Sequence, residues 1–139
     1  MSVCPQLACE KPRARLARAQ LALRGGAGQH GGGESDLGLL LPAEGITIVD
    51  NVQLTRSNGG SNMVSNGTFN SNTSGWRIEG THISSGRTTN SEEVISGNGS
   101  LKLIAWNGGG DYKVNRIETN TSGQSSGTTY RVSFSARWK

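Results

Sequence analysis

Between Ile46 and Trp138 the apolar residues fall at alternate positions in short runs, the period of a β-strand with one covered face. The last run is the clearest: Tyr130, Val132, Phe134, Ala136 and Trp138 share one parity, and Arg131, Ser133, Ser135 and Arg137 the other. Leu101, Leu103 and Ala105 form a second such set, and Trp76 and Ile78 a third. In the first run Ile46, Ile48, Val52 and Leu54 have the same parity, which predicts a strand with a single apolar face. Clusters such as Ser96-Gly97-Asn98-Gly99 and Asn107-Gly108-Gly109-Gly110-Asp111 separate the runs and read as turns. The expectation is an all-β fold, an antiparallel β-sandwich with one buried and one solvated face to each sheet.

Residues 1–45 follow a different pattern. Ala14 to Arg24 contains good helix formers, but alanine supplies most of its apolar stripe, and Gly25-Gly26 ends it. A helix this short is marginal alone in water. The segment therefore reads as a disordered or weakly helical tail ahead of the sheets. Its start does not read as a signal peptide, because Glu10, Lys11, Arg13, Arg15 and Arg18 interrupt any hydrophobic stretch.

Composition agrees with a thin, loop-rich sandwich: hydrophobic residues make up 32% of the 139 positions, and there are 21 glycines. The net charge of +4 is dispersed and forms no cationic stripe, which argues against nucleic acid as a partner. No apolar run approaches the roughly 20 residues that span a bilayer. Cys4 and Cys9 are too few for a structural zinc site and read as free thiols.

Three segments carry a resemblance. Asn62-Met63-Val64-Ser65-Asn66-Gly67-Thr68-Phe69 with Gly75-Trp76 is similar to the opening strand of CenC-type carbohydrate-binding modules (families 4 and 9, galactose-binding-like). Gly99 to Leu103 and Gly127 to Arg137 resemble two later strands of the same modules, in the same order. The resemblance implies a jelly-roll-like β-sandwich that binds polysaccharide without catalysis. Such a module would be an accessory of a larger secreted or cell-surface protein such as a glycoside hydrolase. The alternative is an adhesion or spacer sandwich with no sugar ligand.

Ile46 to Leu54 resembles the closing strand of those modules, yet it precedes the opening motif. This suggests a tandem array: residues 46–56 close a preceding module, 57–61 form a linker, and 62–139 begin the next. The resemblance implies roughly 60 to 70 further residues to complete that module. The incomplete sandwich would then present open sheet edges, and would be marginally stable or complete itself with another copy. The alternative is a circularly permuted arrangement, in which the Ile46 strand folds back into the slot that the missing closing strand would occupy.

Sugars stack on aromatic rings and take hydrogen bonds from flanking amides and charged groups. Trp76, Tyr130 and Trp138 are expected to point inward. Trp106 and Tyr112 flank a glycine loop and are the candidate sugar contacts, with Asn107, Asp111 and Arg116 as polar partners. The resemblance also implies a structural calcium between the opening segment and a closing-strand aspartate, here Asp50. Asn70 stands where the modules usually carry Glu. Enzymatic readings find little support. Only two histidines, His30 and His82, are present, and Glu92 and Glu93 are adjacent, so a strand would turn them to opposite faces as solvated surface.

Overall fold

The computed structural model describes residues 22–25, 35–39, 41, 44–106, 117–121, 123–125 and 127–139. Among the described residues eight strands form two four-stranded antiparallel sheets. The first has the order β1 (Ala22–Gly25), β2 (Ser35–Leu39), β7 (Ile117–Thr121), β4 (Trp76–Ile78). The second runs β5 (Gly86–Thr88), β6 (Ser100–Ala105), β3 (Gly45–Arg56), β8 (Tyr130–Trp138). The core holds Leu37, Leu39 and Ile117 from the first sheet and Val49, Val52, Leu54, Leu101 and Leu103 from the second. The all-β sandwich expected from the alternation is the fold observed.

Two expectations are corrected. The segment before Gly45 is not simply a tail: β2 is hydrogen-bonded along its length to β7, and Leu37, Leu39 and Leu41 are fully buried. The described end of the expected helix, Ala22 to Arg24, lies in a strand, β1, paired with β2. The leucines at 37, 39 and 41 have period two, and tertiary pairing outweighs the weak helix propensity upstream.

The second correction concerns the face of β3. Its register against β8 shifts by one residue between Asp50 and Gln53, where Asn51 has φ 53°. This bulge reverses the alternation. Val49 lies in the core before it and Val52 and Leu54 after it, so Ile46 and Ile48 point to the other side of the sheet from Val52. Ile48 is nonetheless buried, on the outer side of the sheet away from the main core.

The Ile46 segment lies inside the second sheet, between β6 and β8. β3 pairs with β6 from Gly45↔Ala105 to Val49↔Leu101, and with β8 from Thr47↔Trp138 to Arg56↔Tyr130. Residues 57–61 make the turn out of β3: Ser57 N–H donates to the Thr129 carbonyl at 2.9 Å, and Gly59 and Gly60 adopt positive φ.

The opening motif now has a physical account. Asn62 stands in for a strand neighbour, its Oδ1 accepting from Leu54 N–H and Val64 N–H at 3.0 Å each. Gly67 meets the bulge, where its carbonyl accepts from Val52 N–H at 2.9 Å. Phe69, with φ 51°, is fully buried and packs on Trp76 with ring centroids 5.2 Å apart. Asn66 also has positive φ; its carbonyl accepts from the Trp76 indole at 3.3 Å, and its side-chain amide holds Asn72 and Ser74.

Candidate functional site

Trp106 follows the last residue of β6 and is 62% exposed. Two hydrogen bonds fix it to the neighbouring turn: its backbone N–H donates to the Thr81 carbonyl at 3.3 Å, and its indole Nε1–H to Ser84 Oγ at 3.1 Å. An indole with its N–H satisfied keeps its ring faces for an apolar surface. The same turn exposes Ile83, at 66%.

The turn is itself anchored from beneath. A 3-10 segment, Gly80–His82, buries His82 completely. Nε2 of His82 accepts from the Leu41 backbone N–H at 3.1 Å, and Nδ1 lies 3.3 Å from Thr81 Oγ1. An accepting Nε2 requires the neutral ring with its proton on Nδ1. Burial lowers the His82 pKa from its ordinary 6.5, in keeping with that state. Ser85 completes the anchor, with Oγ accepting from Ile104 N–H at 2.8 Å and donating to the Ile104 carbonyl at 3.2 Å. The platform at Trp106 is thus held to β6 and to the segment after β2 together.

Of the other expected sugar contacts, Asn107, Asp111, Tyr112 and Arg116 lie outside the described residues. Trp76 is buried as expected. Tyr130 packs against the core in part, but Phe134 and Trp138 are 37% and 43% exposed. Their parity does face inward. However, β8 is the last strand of its sheet among the described residues, so nothing beyond it covers them. Phe134 and Trp138 are therefore accessible aromatics missed by parity reasoning, since alternation does not say which strand is an edge. They lie about 13 Å apart along the strand. The register Thr47↔Trp138 and Gly45↔Ala105 places Trp138 near the same end of the sheet as Trp106. At the far end of β3 an open groove of about 440 Å³ is lined by Arg56, Ser61, Asn62, Met63, Ser65 and Gly123, with no aromatic ring.

Glu93 is not the solvated surface acid that its sequence context suggested. It is buried on the outer side of the second sheet, where Lys102 Nζ stands 2.8 Å from Oε1 and Lys139 pairs with the same oxygen. Thr88 Oγ1 donates to Oε2 at 2.7 Å. The two ammonium groups, with Thr88, lower its pKa from 4.5 to about 2. Held ionised in this way, the carboxylate ties β5, β6 and the end of β8 together and has no proton to give near neutral pH.

Asp50 is fully buried. Its Oδ2 accepts from Ser96 N–H at 3.1 Å, Ser96 Oγ at 3.0 Å and Ser100 Oγ at 3.0 Å, and Oδ1 accepts from Asn51 N–H at 2.7 Å. The two serine hydroxyls also accept, from Asn51 Nδ2 and from Ile95 N–H. Calcium takes six to eight oxygens free to face it. The oxygens around Asp50 are already committed to protein donors, and no group of three His, Cys, Asp or Glu side chains assembles among the described residues. This donor set does not fit a calcium ion.

Among the described residues no helix is long and apolar enough to cross a membrane. No curated protein and no solved structure matches the chain. The family model for a carbohydrate binding domain (CBM_4_9) matches residues 61–139, more than half of the chain and the same stretch that holds the opening turn, β4 to β8 and Trp106. The chain belongs to the CBM_4_9 family of carbohydrate binding domains.

Proposed function

We propose that this chain binds polysaccharide without catalysis, with the Trp106 ring as the stacking platform. The observation that carries this is the exposed indole whose N–H is tied to Ser84, leaving its faces open at a rigid position. A pyranose presents an apolar C–H face to such a ring, and a platform held in place loses little freedom on binding. Asn107, Asp111, Tyr112 and Arg116, close to Trp106 in the chain, would supply further contacts. The module would serve a larger secreted or cell-surface protein, such as a glycoside hydrolase, by holding it on its polymer. Weak glycan contacts suffice for that task because they raise local concentration.

The test is affinity electrophoresis and calorimetry against soluble β-glucans and xylans. Binding is expected to weaken by about tenfold or more in Trp106→Ala, from loss of the stacked ring. Unchanged binding would move the site away from Trp106.

A second reading is a spacer or adhesion sandwich, and β8 favours it. This nine-residue strand has no partner on its outer side among the described residues, and its Phe134 and Trp138 are partly bare. A second copy of the chain paired along this edge would cover both. A molecule that binds no glycan in the panel yet self-associates would be a spacer.

A further inference from the structure

Three backbone carbonyls converge on one side chain. Arg87, in β5, donates Nε–H to the Phe69 carbonyl at 2.8 Å, and its Nη2 donates to the carbonyls of Asn70 at 2.6 Å and Asn98 at 2.7 Å. These oxygens come from two loops, the turn that ends the opening motif and the loop that leads into β6. The loops are also joined directly, Asn98 N–H donating to Asn70 Oδ1 at 2.7 Å. Two residues earlier, Ser96 binds Asp50. Opening turn, loop and β3 are therefore one continuous polar junction.

The junction is closely packed. A Cβ at Gly99 would lie 2.6 Å from Arg87 Nε and 2.8 Å from the Phe69 oxygen, and one at Gly97 would lie 2.1 Å from Asn70 Oδ1. Converging carbonyl oxygens concentrate negative partial charge and are stabilised by donors or a cation. A guanidinium supplies both, as a permanent charge on a planar fork of N–H groups.

We propose that Arg87 is the cation of this junction, taking the place that the family resemblance gives to calcium, so that the fold is held without a metal ion. Asn70 fits the exchange. A carboxylate there would serve a divalent cation, whereas the neutral amide oxygen accepts the Asn98 N–H beside a guanidinium that already provides the charge. Phe69 fits it too, because its left-handed backbone directs its carbonyl to Arg87 while its ring remains in the core.

Thermal unfolding of the full chain in excess EDTA and in millimolar calcium chloride is the test. The two midpoints are expected to agree within about 1 °C, since only a ligand bound to the folded state raises Tm. A rise in Tm with calcium, or saturable terbium luminescence excited through tryptophan, would overturn the proposal. Arg87→Ala is expected to lower Tm by about 5 °C or more through three lost charge-assisted hydrogen bonds. Arg87→Lys, which keeps the charge but not the fork, should lie between, and it replaces Arg87→Ala as the test if that variant does not fold. A variant melting with the parent would equally refute the role of Arg87. Sugar binding enters neither readout.

Discussion

At Gly67 a single methyl group would stand 2.1 Å from the Val52 carbonyl oxygen, 3.0 Å from its carbon and 3.2 Å from Val64 Cγ1. Two of these neighbours are backbone atoms at the β3 bulge and cannot rotate away. Gly67→Ala is therefore expected to destabilise the fold by about 3 kcal/mol, from overpacking and the weakened Val52 N–H···Gly67 bond. Urea unfolding monitored through tryptophan fluorescence would show a lower midpoint with an unchanged slope. A glycine in the Asn-Gly-x-Phe motif was legible as a pattern, but its reason was not. The reason is a contact across 15 positions in sequence, with a strand that precedes the motif. The same holds for Asp50: its letter suggested a metal ligand, while Ser96 and Ser100 show it as a hydrogen-bond acceptor.

At the scale of elements, the 80–85 turn and the Glu93 clip make stability depend on pH in two separate ranges. His82 is neutral in the fold with its pKa lowered by burial, so the unfolded chain binds the extra proton as pH falls below about 6.5. Its contribution is complete above that value and declines beneath it. Glu93 has its pKa lowered from 4.5 to about 2 by Lys102 and Lys139, so its contribution is present above 4.5 and is lost as pH falls toward 2. Urea midpoints are expected to be flat between about pH 7 and 8 and to fall in two stages below it. His82→Gln, whose side-chain oxygen still accepts from Leu41 N–H, should remove the upper stage and leave the lower. The alternating runs of β6 and β8 were read correctly because each keeps one register. β3 was misread, because a bulge at Asn51 changes parity without changing composition.

For the whole molecule an uncovered edge among the described residues is β8. An antiparallel pairing of two copies centred on Phe134 would cover both edges, but it would set Arg131 of one copy against Arg137 of the other. Association through this edge is therefore expected to be weak and to strengthen with salt, as screening relieves the like charges. Sedimentation equilibrium over a concentration series would show a rising mean mass, and Phe134→Lys should return it to the monomer. A monomer at every concentration and salt would leave the second copy without a role.

Period-two alternation, glycine-rich turns and the Asn-Gly-x-Phe and Gly-Trp letters were enough to specify antiparallel strands, a buried Trp76 and membership of a carbohydrate-binding family. These are local properties, set by side-chain direction and by turn chemistry. Leu37 and Leu39 entering the core, the bulge that turns Ile48 outward, the burial of Glu93 and the exposure of Trp138 were decided only by tertiary structure. Each depends on which strand lies beside which and on where a sheet ends. Such pairings join residues far apart in the chain, and no local pattern encodes them.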